Sequence, residues 1–181
     1  TIIIFMILAA TSFSLHYYLI AKGRFEYFKD QEFRYYLGLI IIFSALFFIT
    51  ILNVNEYYDY TSSLRESVFH SVSLLTTTGF AVGDYETWPG MSSMLVFVLL
   101  FIGGCAGSTT GGIKIIRTIV ISKYLLCEVK RLIHPNGIFN ITLNKEVVDD
   151  DIVKSTLGFY LFYIFIFVFS AIIFSITALD F

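Results

Sequence analysis

The chain has 181 residues, 57% of them apolar and 14% charged, with a formal net charge of −2. A soluble domain carries about a quarter charged residues, so this composition, with a mean hydropathy of +0.80, belongs to a membrane protein. The charge balance offers no basic patch for nucleic acid, and Cys105 and Cys127 lack the spacing of a zinc site or a disulfide framework.

The chain opens in mid-hydrophobic sequence at Thr1, without a basic n-region, and reads as part of a longer membrane protein rather than a signal peptide. Residues 1–21, 35–55, 67–83, 87–113 and 155–179 contain no Asp, Glu, Lys or Arg. A transmembrane helix takes about 20 apolar residues. Four stretches qualify, and 67–83, shorter and rich in Ser and Thr, does not.

Charge parity decides what 67–83 does. If the other four stretches span and 67–83 does not, Lys22, Arg24, Lys29 and Arg34 share one side with Lys114, Arg117, Lys123, Lys130, Arg131, Lys145 and Lys154. Only Arg65 then faces the other side, as the positive-inside rule prefers. Residues 67–83 are therefore expected to enter the membrane and return. The outer loops would hold Tyr57, Tyr58, Tyr60, Tyr85 and Trp88 as an interfacial belt.

Within this element, Ser63-Leu64-Arg65-Glu66 matches a capping box and predicts a helix over 64–75. Such a helix rises about 18 Å, roughly half of a hydrocarbon core about 30 Å thick. Its C-terminal end presents partial negative charge to a cation. Thr76, Thr77, Thr78, Gly79 and Phe80 would return in extended form, Gly79 allowing dihedrals that align carbonyls. Such carbonyls can replace the hydration shell of potassium, with Thr77 and Thr78 as backbone ligands. A surface hairpin turn is the ordinary alternative. His70 reads as a packing or hydrogen-bonding residue, and His16 and His134 carry no specific signal.

The next span is broken by Gly103-Gly104-Cys105-Ala106-Gly107-Ser108-Thr109-Thr110-Gly111-Gly112. Small residues that pack helices are spaced one turn apart, whereas these are nearly contiguous and predict a local loss of helix. Close helix packing is the alternative. The run is not a P-loop, because Ile113 separates Gly112 from Lys114. Lys114 most simply snorkels to the inner interface, or else tunes the pore mouth. Asp149-Asp150-Asp151 reads as a solvated helix start rather than a calcium site. The aromatic run Phe159–Phe169 reads as lipid- and helix-facing bulk.

Thr76-Thr77-Thr78-Gly79-Phe80, Trp88-Pro89-Gly90, the run Phe101–Lys114 and Lys130-Arg131-Leu132-Ile133-His134-Pro135 together resemble the Trk-type (TrkH/KtrB) bacterial potassium uptake proteins, over nearly the whole chain. The resemblance implies an all-α polytopic membrane protein of four potassium-channel-like span–pore-helix–span repeats in one chain. By it, 1–21 is the last helix of one repeat and 35–121 a complete repeat: span 35–55, pore helix 64–75, filter 76–80, broken span 89–121. Residues 122–154 form a cytoplasmic connection, and 155–177 the first span of the next repeat. It makes Thr76, Thr77, Thr78, Gly79 and Phe80 one of four filter segments. It makes Gly103, Gly104, Gly107, Ser108, Thr109, Thr110, Gly111 and Gly112, with Lys114, a gate loop under the filter. It implies potassium as the transported ion, no organic cofactor, the inner membrane as location and a homodimer. Its partner is a cytosolic nucleotide-binding ring (TrkA-like), for which Lys123–Pro135 is a candidate contact. The Thr-Val-Gly-Tyr-Gly filter of potassium channels stands here as Thr-Thr-Gly-Phe-Ala, which implies a shorter or looser set of sites.

Two other functions fit a chain with interrupted spans: an ion-coupled transporter with alternating access, and a non-conducting assembly subunit. The hydroxyls of 67–83 argue against the second. No Ser/His/Asp, Cys/His or paired-carboxylate set lies within the predicted spans, so no enzyme is expected.

Overall fold

The fold is that of a computed structural model describing residues 1–54, 59–82, 90–135, 137 and 139–177. Seven helices account for most of it: α1 (Ile2–Ala9), α2 (Phe13–Lys22), α3 (Gln31–Val54), α4 (Tyr60–Leu75), α5 (Gly90–Phe101), α6 (Ile115–Ile133) and α7 (Asp150–Thr177). A short 3-10 turn, Tyr27–Lys29, precedes α3, and a small hairpin, β1 (Thr142–Leu143) and β2 (Glu146–Val147), precedes α7. The chain is an all-α polytopic membrane protein. Contacts divide it into two units, Thr1–Thr118 and Ile119–Phe181.

In the first unit α3 is the scaffold. At 24 residues it is about 36 Å long, enough to cross a hydrocarbon core of about 30 Å. Asp30 Oδ1 caps its start by accepting the Phe33 amide at 3.0 Å. Helix α4 lies along α3, with Tyr36 and Phe47 from α3 and Val72 and Leu75 from α4 all fully buried. Ser63, Ser67 and Ser71 fall at successive four-residue steps of α4 and are each 0% exposed. Small side chains at that spacing let backbones approach, and Ser71 Oγ reaches across to Ile40 O at 3.4 Å. Two of the hydroxyls that argued against a packing role are thus packing residues: Ser71, and Ser67, which bonds within its own helix at Leu64 O.

Four boundaries depart from the sequence reading. Residues 1–21 are not one continuous helix: α1 and α2 meet at 99° across a three-residue break. The pore-helix candidate starts at Tyr60, not Leu64, and Ser63 caps nothing. Ser63 sits inside α4 with its hydroxyl on Asp59 O at 3.2 Å, because Asp59 takes the extended N-cap backbone. The broken span is α5, a non-helical run over 102–114, and α6, which continues twelve residues beyond the expected end at 121 to Ile133. Its charged residues from Lys123 to Arg131 sit on an amphipathic helix instead of a loop. The last span begins at Asp150, five residues before 155, with Asp150 and Asp151 in its first turn, where carboxylates favour the helix dipole.

The second unit holds the end of α6, the hairpin and α7. Asn144 and Lys145 both have positive φ, +49° and +72°, as the tightest hairpin turn requires. Val153 and Thr156 near the start of α7 are buried, but its most apolar 18 residues are not buried by their own chain, a surface left for lipid or other helices. Of the aromatic belt expected outside, Tyr57, Tyr58, Tyr85 and Trp88 lie outside the described residues. Tyr60 is 71% exposed at the start of α4.

Candidate functional site: a returning loop and a glycine loop

The chain reverses at the end of α4. The amides of Thr78 and Gly79 both turn back to Ser73 O, at 2.9 and 3.4 Å. Ser73 Oγ donates to Phe80 O at 2.6 Å, and His70 Nε2 to Val82 O at 2.6 Å. Later residues thus meet earlier ones, so 80–82 runs back beside the helix. His70 is a hydrogen-bonding residue, as its sequence context suggested. Gly79 takes φ +76°, a conformation that side chains disfavour. Thr77 was not expected to share it, yet stands at φ +52°. Thr76 is buried, with its hydroxyl 2.7 Å from that of Thr78. Among the described residues, the carbonyls of Thr76, Thr77, Thr78 and Gly79 accept no hydrogen bond.

The run after Phe101 has lost its helix. Its two ends are clasped by a parallel bridge between Ile102 and Ile113, with Gly103 N on Ile113 O at 2.8 Å and Ile113 N on Phe101 O at 3.0 Å. Gly103 is needed for this closure: a Cβ there would stand 2.0 Å from Gly111 O. Unpaired backbone cannot face lipid, and several backbone groups of the loop find partners on the α1–α2 break. Cys105 N donates to Ala10 O at 2.9 Å, Thr109 N to Ala9 O at 3.3 Å, and Phe13 N to Gly107 O at 3.0 Å. The break between α1 and α2 and the glycine loop therefore satisfy one another. That exchange is the physical reason residues 1–21 are bent, and nothing local to 1–21 signals it.

Inside the loop, Thr110 Oγ1 accepts the Gly104 amide at 2.9 Å and pairs with Ser108 Oγ at 2.9 Å. Lys114 does not snorkel away. Its ammonium turns back onto Thr110 O, Thr110 Oγ1 at 2.9 Å and Ser108 Oγ at 3.4 Å. These acceptors lie within one loop turn of its own backbone, so the ammonium reaches them in a partly buried place. Glu32, from the first turn of α3, is 7% exposed. Its Oε1 accepts the Ala106 amide at 2.7 Å and the Ile116 amide at 3.0 Å. Sequence reading missed Glu32: a carboxylate in the first turn of a helix is ordinary, and only the fold reveals that it serves another helix. The returning loop and the glycine loop touch directly, Gly111 N donating to Thr77 Oγ1 at 2.9 Å.

A family model described as TrkH, cation transport protein, matches residues 1–180. The chain belongs to the TrkH family. It is 42% identical over 168 residues to the Trk system potassium uptake protein TrkH of Halomonas elongata, covering 90% of this chain and 34% of that protein. It is 32% identical to the TrkH of Salmonella typhimurium over 99% of this chain and 37% of that protein. The chain thus spans about a third of the length of these curated relatives. Its fold matches the crystal structure of the potassium transporter TrkH from Vibrio parahaemolyticus with a TM-score of 0.92 at 30% identity, covering 98% of this chain and 39% of that one. The family is described as one of cation transport proteins, and the chain carries apolar helices long enough to cross a membrane.

Proposed function

We propose that this chain supplies one pore repeat of a potassium uptake protein, with 76–80 as one of its filter segments and 103–112 as the gate. The observation that carries the reading is the set of carbonyls at Thr76 to Gly79, without a protein donor among the described residues, in a segment that touches the non-helical glycine loop through Thr77 and Gly111. Carbonyl dipoles of this kind can replace an ion's hydration shell, and the negative end of the α4 dipole lies beside them. Four such segments would complete the ring, and the relatives, named potassium uptake proteins, are long enough to hold them. Thr77 and Thr78 carbonyls bind the dehydrated ion, and no covalent chemistry is involved. The loop narrows the path on the side marked by Lys114 and Arg117. The cytosolic partner is a TrkA-like nucleotide-binding ring reaching α6 near Lys123–Pro135, and the complete protein is a homodimer.

The test is deletion of Gly107–Gly111 in the complete protein, reconstituted with and without its cytosolic partner. Potassium flux should rise and lose its dependence on the partner. A stably inserted deletion with normal, partner-controlled flux makes the loop a packing element. Repeating the measurement with and without a proton or sodium gradient separates a channel-like path from a coupled transporter: flux that requires the gradient favours the latter.

A further inference from the structure

We infer that Glu32 is the anchor that holds the glycine loop in its closed position, an inference that rests on the gate reading above.

The helix that carries Glu32 does not need it. Asp30 already caps α3 through the Phe33 amide. Glu32 instead leaves its own helix and places a single oxygen, Oε1, between two amides ten residues apart in sequence. Ala106 N belongs to the turn of the loop. Ile116 N belongs to the first turn of α6, where four amides have no partner within the helix and where the dipole favours a carboxylate. The oxygen therefore ties the glycine loop to the first turn of the helix that follows it. Hydrogen bonds from backbone amides to a carboxylate are about twice as strong as neutral ones. Lipid could not replace this acceptor.

Each partner then has a distinct fate when the loop moves. The Ile116 amide stays with α6, while the Ala106 amide must leave Glu32 if the loop is to clear the path. Glu32 thus sets how far the equilibrium lies toward the closed loop, and its role is one of positioning: it need never touch the ion.

The experiment uses the complete protein in liposomes, with potassium flux measured in the absence and presence of the cytosolic partner, and peptide-resolved hydrogen exchange over 103–118. Glu32→Ala leaves both amides without an acceptor and should raise partner-independent flux by about tenfold, with faster exchange in the loop. Glu32→Gln keeps an acceptor oxygen of the same reach and should restore most of the closed behaviour. Glu32→Asp, one methylene shorter, should fall between the two. Wild-type flux and exchange in a stably inserted Glu32→Ala overturn the inference. Should that variant fail to insert, wild-type behaviour of Glu32→Asp in both readouts overturns it equally. Faster exchange at unchanged flux upholds the anchor but overturns the gate reading, so the two fail separately.

Discussion

The hydroxyl of Thr77 accepts the amide of Gly111 at 2.9 Å, joining two loops 34 residues apart. Thr77 holds this bond from a left-handed backbone, φ +52°, that costs a β-branched residue about 1–2 kcal/mol. The strain sits where the returning loop turns, and the bond offsets part of it. A motion of the glycine loop is therefore felt at the backbone that the proposed filter uses.

Thr77→Val keeps the shape and the strain but removes the acceptor of the Gly111 amide, an exposed bond worth about 0.5–1.5 kcal/mol. Partner-independent potassium flux should rise, and Thr77→Ser should stay near the wild-type value. Equal flux in all three proteins would show that the bond couples nothing.

Gly79 stands at φ +76° with open space where a Cβ would go, so substitution there is penalised by backbone and not by collision. Gly79→Ser should cost about 1–2 kcal/mol locally and weaken discrimination between potassium and sodium, while the protein remains in the membrane. The measurement is the ratio of potassium to sodium uptake. An unchanged ratio removes 76–80 from the filter.

At Gly103 the obstacle is steric. A Cβ meets Gly111 O at 2.0 Å, so Gly103→Ala must open the clasp between Ile102 and Ile113. Overpacking of this sort costs about 1–3 kcal/mol. A lower thermal midpoint in detergent, together with raised flux, is expected. Wild-type stability would mean that the clasp opens at little cost.

Topology is checked by thiol labelling. Cysteines placed singly at Thr61 and Thr87, with Cys127 replaced, should both react with an impermeant reagent from outside. The native Cys105 can stay, since it is 1% exposed. Reaction of one position and not the other would mean that 67–83 crosses the membrane.

Much of this protein was legible in one dimension because its signals are local or cumulative. Charge-free runs specify the apolar helices α3 and α7, since length and hydropathy alone decide whether a helix suits a bilayer. A nearly contiguous run of Gly, Ser and Thr at 103–112 predicts loss of helix, since the cost of helix is summed residue by residue. Gly79 marks a left-handed turn for the same local reason. What the tertiary structure alone decided are the long-range exchanges of hydrogen bonds. The bend at Ala10–Ser12 exists because the glycine loop supplies donors to Ala9 and Ala10. Lys114 turns inward because Thr110 and Ser108 are folded beneath it. Glu32 becomes an anchor because α3 brings its first turn against the first turn of α6. The bend and Glu32 depend on partners far away in sequence, and Lys114 on acceptors four and six residues back that only the fold of the loop brings to it; periodicity and composition carry no record of which partner that is.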